Sequence, residues 1–192
     1  WGIASGDVCH LQKIELYNQP TPVPALTLTG IMDLTIPSSL ASISGGAQGK
    51  AIQLTANQNI SDLSVYGVGV ANNGGGTDGQ EYTFPSISVN AGEHVFLARD
   101  TAAMSAYFGS CYSIFDHYLV ANSSISQNGD DAIELFFNGN VIETFGDINV
   151  DGTGQPWEYL DTWAWKDTAA SNVGNWVYGG VNCSDGSSSM QT

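Results

Sequence analysis

Short runs in which apolar and polar residues alternate, each followed by a turn signal, constrain this chain more than any other feature. They occupy 26–32, 50–56, 63–70, 81–84, 94–98, 132–137 and 141–145. A period of two puts successive side chains on opposite faces of an extended strand, whereas an amphipathic helix needs its apolar residues three and four apart. Gly45-Gly46, Asn73-Gly74-Gly75-Gly76, Asn90-Ala91-Gly92 and Asn128-Gly129 punctuate the runs. Phe137-Asn138-Gly139-Asn140-Val141 is the strongest of these signals, because Asn-Gly tolerates the positive φ of a type I′ hairpin turn. The pattern predicts an all-β fold, an antiparallel β-sandwich. Ile52 with Leu54, Leu63 with Val65, Val95 with Leu97 and Ile133 with Leu135 are its expected core. Only 101–108, with Ala102, Ala103, Met104 and Ala106, reads as helix, and it is too short to be more than a connector.

The chain is long enough for one such domain. Its 192 residues are 42 % apolar and 10 % aromatic. A chain of this size buries roughly 70 % of its unfolded surface, so its core needs neither metal nor disulfide. Residues 1–25 stand apart as an N-terminal extension or linker: an amphipathic run at 11–17 is followed by Pro20, Pro22 and Pro24, which stiffen the backbone and block helix. The domain proper is expected over 26–192, including a C-terminal extension from about 147.

Charge removes several function classes. Nineteen carboxylates (Asp+Glu 19) face only Lys13, Lys50, Arg99 and Lys166, for a net charge of -15. No basic stripe exists to bind a nucleic acid or an anionic bilayer, and phosphate chemistry lacks its usual clamps. No apolar run approaches the length of a membrane-spanning helix. His10, His94 and His117 do not share metal-ligand spacing, and Asp116-His117 lacks a nucleophile motif. Trp1 in place of Met suggests a processed terminus or a segment of a longer protein. Acidity, scarce Lys and many Ser, Thr, Asn and Gly suggest a secreted or cell-surface setting. There, one disulfide is expected among Cys9, Cys111 and Cys183, with the pairing open. Sequons at Asn59, Asn122 and Asn182 permit glycosylation in a eukaryotic source.

Taken in order, several segments resemble the lamin-tail domain. They are Lys50-Ala51-Ile52-Gln53-Leu54, Ile60 to Gly67, Tyr82-Thr83-Phe84-Pro85 with Val89 to Ala98, and Gly129 to Leu135 with Asn138-Gly139 and Val141-Ile142-Glu143. The resemblance covers about 26–146 and implies an immunoglobulin-like antiparallel β-sandwich with irregular N- and C-terminal extensions. The segment after Asp147 looks like an extension found in secreted marine-microbial versions. It also implies an interaction or attachment module, with no catalytic role, often appended to secreted enzymes. The nuclear-lamin role does not carry over, because no heptad rod precedes the domain.

The sharpest chemical pattern is Asp147-Ile148-Asn149-Val150-Asp151-Gly152-Thr153-Gly154-Gln155-Pro156-Trp157-Glu158, which satisfies D-x-[DN]-x-[DN]-G-x5-E. Oxygens of Asp147, Asn149 and Asp151 converge if Gly152 permits a sharp turn; the Thr153 carbonyl and the Glu158 carboxylate complete a shell for Ca2+. A strand leads into this loop and Pro156 blocks a helical exit, so it is EF-hand-like in ligand order only. The competing reading is an Asx-rich turn with solvated carboxylates. The Gly-rich stretch 72–81 reads chiefly as a flexible solvated loop, with donation of Asp78 or Glu81 to a cation as the sharper alternative. Trp163 and Trp165 share one face of a strand, either as a seam against the sandwich, the preferred reading, or as a sugar-stacking platform. The expected function is a non-catalytic extracellular module, calcium-stabilised, whose partner is a glycan, a matrix or a larger protein assembly. The alternative is a carboxylate-dependent polysaccharide hydrolase using Asp130 with Asp131 or Glu158 with Asp161.

Overall fold

The computed structural model describes residues 23–167 and 175–190. Along the chain lie β1 (Leu26–Asp33), β2 (Lys50–Ala56), β3 (Tyr66–Ala71), β4 (Tyr82–Thr83), β5 (His94–Ala98), α1 (Thr101–Phe108), β6 (His117–Val120), β7 (Ala132–Phe137), β8 (Asn140–Phe145), β9 (Thr162–Lys166) and β10 (Trp176–Tyr178). They form a six-stranded sheet, β10-β9-β1-β2-β5-β6, and a four-stranded sheet, β4-β3-β7-β8. The arrangement is all-β and sandwich-like. Leu28, Ile31, Ile52, Leu54, Val95 and Leu97 of the larger sheet form one buried cluster with Val68, Val70, Ile133, Leu135 and Phe145 of the smaller. Of the residues expected in the core, Leu63 is fully buried in a 3-10 turn, Leu63–Val65, and only Val65 is half-buried, packed against that cluster.

Asn138 and Gly139 carry φ of 48° and 76° between β7 and β8, so both central turn residues adopt the left-handed conformation that the Asn-Gly pair allows.

Two features depart from an antiparallel sandwich with an irregular tail. β6 pairs with β5 in parallel, Val95 opposite His117 through Ala98 opposite Val120. A parallel partner cannot be reached by a hairpin, and α1 with the 3-10 segment Gly109–Ile114 forms the crossover. The segment beyond 147 is also not irregular throughout. β9 pairs with β1, Ile31 opposite Ala164, and β10 pairs with β9.

The larger sheet is apolar on both faces. A second cluster on its outer side joins Ala51, Phe96 and Ala98 to Met104, Tyr107 and Phe108 of α1 and to Phe115. Phe96 and Phe115 stack at 4.2 Å between ring centroids. Asp100 caps α1 by accepting the Ala103 N–H at 2.9 Å, and its carboxylate also accepts the N–H and hydroxyl of Ser42, each at 2.6 Å.

Candidate functional site

The structure places the acidic motif at one end of the molecule. Residues 128–131 tie it there: the Gly129 carbonyl accepts the Tyr159 N–H at 2.7 Å, the Asp130 carbonyl accepts the Gly152 N–H at 2.9 Å, and the Asp131 carbonyl accepts the Tyr159 hydroxyl at 2.8 Å. Within the loop each carboxylate serves its own backbone. Asp147 Oδ1 accepts the Asn149 N–H at 2.9 Å, Asp151 Oδ1 accepts the Thr153 N–H at 2.9 Å, and Glu158 Oε2 accepts the Gly154 N–H at 2.8 Å. The bond from the Thr153 N–H holds the Asp151 carboxyl below the usual carboxylate range. The donors are all oxygen, which suits a hard cation, yet no three His, Cys, Asp or Glu side chains gather to hold a metal among the described residues. Gly152 also has a different role from the one its position suggests. Its φ is not left-handed; a Cβ there would lie 2.5 Å from the Asp130 carbonyl oxygen and 2.6 Å from the Trp157 ring, so close packing excludes a side chain.

The Gly-rich stretch 72–81 is packed rather than merely solvated. Gly76 N–H donates to the Ile148 carbonyl at 2.8 Å, a Cβ on Gly74 would meet the Asp151 nitrogen at 2.5 Å, and Glu81 Oε2 accepts the Val70 N–H at 2.8 Å. Burial pushes the Glu81 carboxyl upward. Of the carboxylates considered for hydrolysis, Asp131 is 1 % exposed and receives the N–H groups of Asn73 at 2.8 Å and Asn128 at 3.1 Å. Burial raises its pKa, and those bonds make it the anchor of a loop. Asp130 accepts the Thr153 hydroxyl at 2.9 Å. Asp116 accepts the His94 N–H at 2.8 Å while His117 Nε2 bonds Glu93 at 2.9 Å, so these sequence neighbours turn to different partners. Cys111, half-buried, and Cys183, exposed, are free thiols and do not pair with each other; Cys9 lies outside the described residues.

A concave surface lies elsewhere, on the outer face of the larger sheet. Ala164 of β9 points into the core at 0 % exposure, so period-two geometry turns Trp163 and Trp165 outward. Trp163 packs against the outer cluster and behaves as a seam; Trp165 does not, and stands 45 % exposed. The two indoles and Met32 and Gln53 floor a groove of about 600 Å³. One wall is Tyr107, Ile114 and Phe115; the other is the chain from Cys183 to Met190. That second wall is fastened at several points. Thr35 N–H donates to Ser184 Oγ at 2.9 Å, Thr35 Oγ1 donates to Asp185 Oδ1 at 2.7 Å, and Met190 N–H donates to the Tyr107 carbonyl at 3.0 Å. Asp185 is the sole charged residue lining the groove among the described residues.

The paired tryptophans were legible in the sequence, but the groove was not. Its floor depends on a register between β9 and a strand more than a hundred residues earlier, and its walls on where α1 and the C-terminal segment dock. No helix among the described residues is long and apolar enough to cross a membrane. No family model matches the chain, and comparison with curated proteins and with solved structures finds no match.

Proposed function

We propose that this chain is a non-catalytic extracellular attachment module that holds a glycan chain in the groove on the outer face of its larger sheet. The observation that carries the reading is Trp165, 45 % exposed at a groove of about 600 Å³ and on the same face as Trp163. Ligand sites are concave and largely apolar, with a few polar groups that orient the ligand, and this groove has that character. An indole offers a flat apolar face to the C–H face of a sugar ring, leaving the ring hydroxyls to polar neighbours. The resemblance to the lamin-tail domain supports an attachment role, and the acidic, Lys-poor composition supports a secreted or surface setting. In this reading calcium stabilises the 147–158 loop. Asp147 and Glu158 each accept one backbone N–H, from Asn149 and Gly154, through one carboxylate oxygen, and keep further lone pairs for the ion.

The test is retention of the full chain on a panel of insoluble polysaccharides, with Trp165→Ala beside the parent. Retention of the parent by at least one polymer and its loss in Trp165→Ala, at unchanged far-UV circular dichroism, is the expected result. An absence of retention on every polymer, or equal retention of the variant, rejects the reading.

A further inference from the structure

Across the floor of the groove, pairing sets three residues in one row: Trp165 lies opposite Gly30, and Gly30 opposite Gln53. Adjacent strands are about 4.8 Å apart, so the backbones of Trp165 and Gln53 stand roughly 10 Å from each other, and Gly30 between them adds no side chain. That leaves room for the Gln53 side chain to lean over Gly30 toward Trp165. A Cβ on Gly30 would lie 3.1 Å from both Cβ and Oε1 of Gln53, tighter than ordinary packing, and 3.6 Å from the Met32 Cε. Gln53 is half-buried, and its side-chain amide makes no hydrogen bond to the protein among the described residues, whereas its backbone carbonyl accepts Thr29 Oγ1 at 3.4 Å. An amide with two donors and an acceptor is thus presented to whatever occupies the groove.

We propose that the groove selects uncharged glycans, stacking one sugar ring on Trp165 and reading the hydroxyls of a neighbouring ring with the Gln53 amide. This rests on the glycan reading above and adds the chemical class and the polar contact. Charge decides the class. Among the described residues no Lys, Arg or His lines the groove, its wall carries Asp185, and the chain bears -15 overall. A uronate or sulfate group entering it loses hydration with no cation to pair with and meets a repelling field, whereas a neutral hydroxyl exchanges water for the amide at little cost. Gln suits this task because a single amide both donates to and accepts from hydroxyls.

Affinity electrophoresis of the full chain in gels holding a neutral β-glucan, a neutral galactomannan, a polygalacturonate or a sulfated galactan tests the proposal, each at low and at 0.5 M salt. At the higher salt, screening leaves only interactions within a few ångströms, so rejection of the acidic polymers there reports on the groove and not on net charge, with a Debye length of about 4 Å. Retardation by at least one neutral polymer and none by the acidic pair at either salt is expected. Gln53→Leu should weaken the neutral interaction about tenfold, as for a lost hydrogen bond that leaves its partner unpaired, while the melting midpoint stays that of the parent. Acidic polymers binding as tightly as neutral ones, or Gln53→Leu binding like the parent while Trp165→Ala does not, overturns this proposal and leaves the glycan reading standing. Failure of every polymer to retard the chain overturns both.

Discussion

Glu143 of β8 joins the two sheets. It accepts the Thr27 hydroxyl at 2.7 Å and the Leu28 N–H at 2.9 Å, and it pairs with Lys166 of β9, whose ammonium also lies 5.9 Å from the Trp176 ring centroid. Both side chains of the pair are at most 15 % exposed. Removing one member leaves the other charge buried without its partner, so Lys166→Met should destabilise by roughly 3 kcal/mol and Glu143→Gln/Lys166→Met by less. Urea unfolding of the three proteins measures both. Glu93 answers to pH. Its hydrogen bond to His117, with further bonds to Asn90, lowers its pKa from 4.5 to about 2. A carboxyl depressed in the folded state adds stability that is complete above its unfolded value, so this contribution is lost as pH falls from about 4.5 toward 2. Proton titration followed at the Glu93 carboxyl carbon should show the low midpoint, and His117→Ala should move it upward.

At the scale of elements, the links between segments matter more than the segments. Asp100 is 2 % exposed and serves α1 and the 41–43 loop together. Burial acts to raise its pKa, but hydrogen bonds from Ser42, Ala103 and Ile43 outweigh it and hold the carboxyl low. Asp100→Ala removes a helix cap and leaves buried N–H groups without an acceptor, so about 2 kcal/mol of stability should go, read as a lowered urea midpoint. The 147–158 loop has the opposite character, since the hydrogen bonds to its carboxylates come, among the described residues, from the loop's own backbone. If calcium binds those carboxylates, the melting midpoint rises in calcium and less in magnesium, whose small octahedral shell fits such a loop poorly. A ligand confined to the folded state contributes about 2.7 kcal/mol at a hundredfold excess over Kd. Asp147→Ala and Glu158→Ala should abolish that rise; an unchanged parent midpoint rejects calcium.

The whole molecule carries its charge as a burden. With -15 on 192 residues, the compact state repels itself more than an expanded chain does. Salt screens that repulsion, so the melting midpoint should climb between 10 mM and 300 mM sodium chloride at pH 7, and scanning calorimetry measures it. The division between what local sequence specifies and what folding adds follows contact range. The strand 50–56, the strand 94–98, the helix 101–108 and the Asn138-Gly139 hairpin are written in neighbouring residues, through alternation, helix-forming composition and turn stereochemistry, and each is found where those rules put it. The five residues of the acidic motif are likewise local, and they do share one loop. β6 and β10 were missed, and β9 was read only through the alternation of Trp163 and Trp165, because their signals are weak or misleading by themselves. Tyr118 and Val120 of β6 stand 41 % and 48 % exposed at a sheet edge, and β9 becomes a strand of the larger sheet only by pairing with β1. The row Trp165-Gly30-Gln53 belongs to the same class. No periodicity within a strand encodes its register against a distant one; that is set when the core faces of all the strands are buried together, and a slip by one residue would turn Trp165 inward and close the groove.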